Sequence, residues 1–250
     1  MRWSIIWSIA KREWDDDFTT AVGWFVMLGF SGISGLTFAL ILSDATDPAY
    51  MAQPIDVNTA IVPAFFSTIQ VLLLLLAPAI SMRAYSADFR QKSFEMLLAA
   101  PISATEIVLG KFLGSLGYLL SLYGSLLHCL VILFWLSDPS ITMLSINMLA
   151  SFVCASCFLA IGHWMSSWTH NQLLALGSSF ALLLGLWFLD ALGLQLGGKT
   201  GDTLRFLSPL THTESLSQGL IQLKDLVYFC SVLGISLFAT QQRISKLRWL

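Results

Sequence analysis

The sequence predicts an all-α integral membrane protein of six transmembrane helices, and three observations carry that reading. Of the 250 residues, 56% are hydrophobic and only 11% are charged, where a soluble domain carries roughly a quarter. The apolar residues gather into runs of about 18 or more, each long enough to cross a bilayer as helix. The runs lack the alternating strands of roughly ten residues that a membrane barrel requires, so helix is the assignment left. A single membrane domain over residues 1–250 is expected, with short non-spanning segments at 1–17, 83–105 and 195–224.

The first segment has no continuous apolar core of the kind a secretory leader carries. On a helix, Trp3, Ile6, Trp7, Ala10 and Trp14 recur at three- and four-residue spacing and form one stripe, with Ser4, Ser8, Lys11 and Arg12 on the other side. Tryptophan with Lys and Arg suits the headgroup region, so this helix is expected to lie in the inner interface. The spans then run Ala21–Leu42, Thr59–Met82, Ile107–Leu136, Leu144–Ser166, Gln172–Leu194 and Asp225–Thr240. The third is long enough to tilt or to project from the membrane.

The basic residues set the orientation. One side receives Arg2, Lys11, Arg12, Arg83, Arg90, Lys92, Lys111, Arg243, Lys246 and Arg248, and the other Lys199, Arg205 and Lys224. The loop from Ser43 to Asn58 holds Asp44, Asp47 and Asp56 without one basic residue. Both termini and the segment after Arg83 are therefore expected on the cytoplasmic side. In that segment Phe94, Leu97 and Leu98 share a helical face behind a charged run, and Pro101 stops the helix. Ser103 with Glu106 then fits a capping box opening the third span. Outside, Gly197, Gly198 and Pro209 with the run Leu216, Leu220 and Leu223 predict a loop plus one amphipathic helix on the outer face.

Catalytic signatures are missing: there is no His-Glu-x-x-His, no Gly-x-Ser-x-Gly and no phosphate-cradling Gly-x4-Gly-Lys-Ser/Thr. Any use of ATP belongs to another chain, and neither metal nor cofactor is expected in this one. Cys154-x-x-Cys157 has no second pair and reads as packing. His128 and His163 are explained by interhelical hydrogen bonds more simply than by haem ligation. Asp190 is the one acid well inside an apolar run, which argues against a proton- or sodium-driven carrier.

The segment Ser81-Met82-Arg83, Asp88-x-Arg90, Glu95-Met96-Leu97-Leu98, Pro101-Ile102-Ser103 and Glu106-Ile107-Val108-Leu109-Gly110-Lys111-Phe112 resembles the signature of type-2 ABC exporter permeases. Farther on, Leu207-Ser208-Pro209-Leu210-Thr211-His212, Gly219-Leu220-Ile221, Lys224-Asp225-Leu226-Val227-Tyr228-Phe229 and Leu247-Arg248-Trp249 resemble the gliding-motility-associated (GldF-like) subfamily. The resemblance covers essentially the whole chain. It departs at Lys92-Ser93, where the pattern has Gly-Thr, and in the acidic run Asp15–Asp17.

The resemblance implies a non-catalytic permease subunit in the bacterial inner membrane. ATP and Mg would be bound by a partner ABC ATPase, and a second permease chain, identical or not, would complete the unit. An exported lipid or glycan is the implied cargo; the alternative is a membrane anchor that transmits force without transport. The residues expected to couple to the ATPase are Arg90, Phe94, Glu95, Leu97, Leu98, Pro101 and Glu106. A membrane protein with a large extracytoplasmic domain is a further implied partner, touching Pro209, His212, Leu216 and Leu220. Membrane lipids complete the expected partners, with no nucleic acid.

Overall fold

In a computed structural model, residues 2–46, 57–91, 102–218 and 222–247 are described. Among them the chain is helical throughout, with no strand. An N-terminal helix α1 (Trp3–Thr19) precedes the first span α2 (Ala21–Thr46). A π-helical turn (Val57–Ile61) opens α3 (Val62–Ser81), and the short α4 (Ser86–Gln91) follows. Then come α5 (Ala104–Ser125), α6 (Leu127–Leu136), α7 (Ile141–Ser166) and α8 (Gln172–Leu196). The short helices α9 (Gly198–Leu207) and α10 (Pro209–Ser217) lead to the last span, α11 (Leu223–Leu247). Among the described residues, six stretches are long and apolar enough to cross a membrane, one for each expected span.

Helix α7 is the axis of the bundle. Its Ala150, Ser151, Cys154, Ala155, Ser156, Cys157 and Ala160 are all buried, and small side chains of this kind let neighbouring helices approach closely when lipid gives no hydrophobic drive for association. A Cβ on Gly162 would stand 1.9 Å from the Ser81 hydroxyl, so α3 and α7 meet with no space to spare. Phe65, Phe66, Ile69 and Leu73 of α3 and Leu119 and Leu122 of α5 complete that core. Helices α2 and α8 flank it, lending Phe30, Phe38 and Leu183 to the core while keeping Phe25, Leu28, Leu36, Leu173 and Phe188 exposed, as lipid-facing helices do.

Three details differ from the sequence expectation. The third span is broken at Leu126: Ser125 Oγ donates to the Leu122 carbonyl (2.7 Å), and His128 Nδ1 lies 2.5 Å from the Ser125 carbonyl. Side chains that take up backbone carbonyls in this way locally loosen the helical ladder. In α1 the expected stripe divides, with Ile6 and Ala10 buried against α5 while Trp3, Trp7 and Trp14 stay exposed. Finally, the segment after α8 is two helices instead of a loop and one helix. Gly197 and Gly198 both take φ near +60°, a conformation natural to glycine, and turn the chain back along α8. Ser208 then caps a new helix that has Pro209 at its start.

Candidate functional site

The end of the bundle that holds both α1 and the close of α11 is built around α5. Ser103 opens that helix with the expected capping box. Its Oγ accepts from the Glu106 amide (3.2 Å), and Glu106 Oε2 accepts from the Ser103 amide (2.9 Å). The other Glu106 oxygen accepts from the amide of Arg2 at 2.7 Å, so one carboxylate holds the first turns of both α5 and α1. From there the two helices run parallel. Gly110 lies against Ile6 and Ile9, Gly114 against Ala10 and Glu13, and Gly117 beside Trp14. A Cβ at Gly114 would come within 2.8 Å of the Ala10 carbonyl oxygen, so glycine sets this helix–helix distance.

That proximity brings an acid of α1 to the buried Lys111. Its ammonium pairs with Glu13 of α1 and, at 2.7 Å, with Asp88 of α4. It also lies 5.5 Å from the centre of the buried Tyr85 ring. An ammonium taken out of water without partners would cost several kcal/mol; two carboxylates and a π face offset that cost. The node thus joins three elements: α1, α4 and α5.

Its surroundings are equally tied. Ser166, at the end of α7, accepts from the amides of Tyr85 (3.2 Å) and Ser86 (3.4 Å) and donates to the Met82 carbonyl (3.0 Å). The turn between α3 and α4 is held there. Arg83 of that turn donates to Thr20 Oγ1 at 3.0 Å, reaching the corner between α1 and α2. One turn along α5 from Lys111, Ser115 lies 2.9 Å from Nε2 of the buried His163, whose ring meets Tyr85 and Phe112 edge-on. A polar cavity of about 320 Å³, lined by Glu13, Asp17, Arg83, Asp88, Lys111 and Ser115 among others, opens beside the node. Burial first, then repulsion from Glu13, raise the Asp17 carboxyl from its ordinary 3.8 to about 7. Arg83 opposes the shift, Asp16 adds to it and Lys111 opposes it more weakly.

Of the residues the sequence singles out for coupling, Arg90 lies in α4, directly after the node, and Glu106 holds the α1–α5 start. Phe94, Glu95, Leu97, Leu98 and Pro101 lie outside the described residues. The node itself was not among the expected site residues. Two sequence signals point to it: Lys111 is a cation inside a span, which demands a partner, and Glu13, just before the acidic run Asp15–Asp17, is an acid beside a membrane surface. That the two would meet depends on a contact 98 residues apart in the chain.

At the opposite end, the residues expected to touch an outer partner are largely turned inward. His212 is buried and stacked on Tyr228 with ring centres 4.0 Å apart. Its Nε2 donates to the Phe206 carbonyl (2.9 Å), and its Nδ1 lies 2.6 Å from Asp225 Oδ1. Ser215 donates to the other Asp225 oxygen (2.6 Å). Pro209 and Leu216 are also buried, while Leu220 lies outside the described residues. Asp190, alone in its run by sequence, accepts from Arg205 Nε (3.1 Å) and Thr211 Oγ1 (2.8 Å). These bonds fasten α9 and α10 to α8 and α11. Cys157 spends its thiol on the Phe229 carbonyl at 3.5 Å. No group of three or more His, Cys, Asp or Glu among the described residues is arranged to hold a metal ion.

Two comparisons bear on this arrangement. The family model described as ABC-2 family transporter protein matches residues 7–241, nearly the whole chain. A comparison with curated proteins finds no match. The chain belongs to the ABC-2 transporter family, and so is a multi-pass membrane subunit of an ABC transporter.

Proposed function

We propose that this ABC-2 family chain is the permease subunit of an exporter in the bacterial inner membrane, driven by a separate ATPase that docks on residues 90–106. Both termini then face the cytoplasm, where the basic residues concentrate. A second permease chain completes the unit, and the gliding-motility-associated subfamily is the narrower assignment that the C-terminal motifs favour. A lipid or a glycan is the cargo class.

The observation that carries this reading is the buried Lys111 ammonium held between Glu13 and Asp88. Helix α4 leads directly into the 92–101 segment, and its Asp88 is fixed to the first turns of α5. A push on that segment therefore reaches a spanning helix through an ion pair instead of dissipating in a loop. The same ammonium holds α1, so α1 follows the motion. Helix-in-groove docking would place Phe94, Leu97 and Leu98 as apolar anchors and Arg90 and Glu95 at the rim.

The test is co-purification from native membranes. Phe94→Ala with Glu95→Lys is expected to lose the ATPase while the chain still inserts. An ATPase retained in full by that variant would move the docking surface elsewhere. Moreover, ATP-dependent movement of a lipid or glycan in vesicles separates transport from a role in force transmission alone, which would hydrolyse ATP and move nothing.

A further inference from the structure

We propose that a groove between α1, α5 and α7 binds one anionic phospholipid of the leaflet on the side of the termini. The headgroup phosphate sits on Lys11 and an acyl chain lies along α5. The cavity holds about 800 Å³ and is lined almost wholly by apolar groups, among them Trp7, Trp14, Leu116, Leu120 and Phe152. Lys11 is the one ionisable side chain lining it among the described residues.

The order of these groups along the groove is that of a lipid. Lys11, expected from the sequence on the side away from the tryptophans, instead falls between Trp7 and Trp14 on one exposed face of α1, because four- and three-residue spacing returns it to their side. Indole rings flanking a cation are the side-chain set found at the headgroup level of a bilayer. From Leu113 to Ser121 the floor follows two turns of α5, roughly 12 Å at the helical rise. It passes from the Lys11 end to Leu120, Ser121 and Phe152, deeper in the span. One end is thus cationic and flanked by indole rings, and the other apolar and farther along α5.

Charge complementarity selects the occupant. An anionic phosphate neutralises Lys11 as the groove fills. A second copy of this chain, related by a two-fold axis through the groove, would bring its own Lys11 against this one and enclose two like charges. The glycine in the floor is free to change: a Cβ on Gly117 would meet the Trp14 ring at 3.7 Å, an ordinary contact. The opening it leaves is therefore not required for packing α1 on α5. The groove stands apart from the Lys111 node, so this inference does not depend on the coupling role proposed above.

The test uses the full chain, purified and reconstituted in nanodiscs of phosphatidylcholine alone or with phosphatidylglycerol, followed by native mass spectrometry and thermal unfolding. The wild type is expected to retain one phosphatidylglycerol per chain and to unfold at higher temperature when it is present. Lys11→Gln should weaken that preference about fivefold, as expected for one basic group near an anionic headgroup, and Lys11→Glu should weaken it further. Gly117→Leu, which fills the groove, should lose the lipid while its unfolding in phosphatidylcholine alone is unchanged. Equal retention of phosphatidylglycerol by wild type and Lys11→Glu would overturn the proposal. So would a lipid-free dimer that Gly117→Leu separates, since the groove would then belong to a second copy.

Discussion

Asp17 is the residue whose charge state the fold alters most plainly outside the spans. It sits at the end of α1, lining the cavity with Glu13, Arg83 and Lys111, and its carboxyl is raised from 3.8 to about 7. The folded state therefore binds a proton more tightly than the unfolded chain does. The resulting penalty is absent below about pH 4, grows as pH rises, and is complete above about pH 7. Thermal unfolding in detergent should accordingly show stability falling between pH 5 and pH 7.5 for the wild type. Asp17→Asn should flatten that slope and unfold at higher temperature than wild type at pH 7.5; an unchanged slope would mean that Asp17 is ionised freely in the fold. At this scale the sequence was partly legible. The Ser103–Glu106 capping box could be read locally, because its partners lie three residues apart. The Lys111 node could not, since its acids come from α1 and α4 and only packing of the helices brings them together.

Among the elements, α1 carries the largest difference between sequence pattern and structure. Its apolar spacing fits an amphipathic helix, but the period alone does not say which of the spaced residues meets protein and which meets lipid. That choice is made by α5, where Gly110 and Gly114 accept the Ile6–Ala10 ridge and leave the tryptophans outside. Two substitutions in adjacent turns separate these roles. Gly114→Ala places a methyl 2.6 Å from Glu13 Cβ and 2.8 Å from the Ala10 carbonyl, and overpacking of this kind costs about 1–3 kcal/mol. Gly117→Ala meets only an ordinary contact. Limited trypsin digestion after Lys11 and Arg12 should be faster for Gly114→Ala and unchanged for Gly117→Ala; equal rates would mean that α1 is not held by this contact. The helices α9 and α10 were legible as a Gly- and Pro-punctuated segment. Their fold-back along α8 was not, because it rests on Gly193 and Gly201 meeting backbone to backbone and on Asp190 reaching Arg205.

For the whole molecule, the six spans were the most legible feature, because length and apolar content alone decide them. Their order in the bundle was hidden: α7 is central because its small residues permit it, and α2 and α8 are peripheral because their large apolar side chains face outward. The account turns on one connection in this bundle, the Lys111–Asp88 ion pair through which we propose that α4 drives α5. Asp88→Asn removes the charge from that connection while leaving Lys111 paired with Glu13, so the fold is expected to stay in place. The decisive measurement is ATP hydrolysis by the purified complex in vesicles, compared between wild type and Asp88→Asn, with subunit composition determined on the same samples. The account predicts an intact complex whose permease-dependent hydrolysis falls by about tenfold or more. An intact complex hydrolysing ATP at the wild-type rate would contradict it.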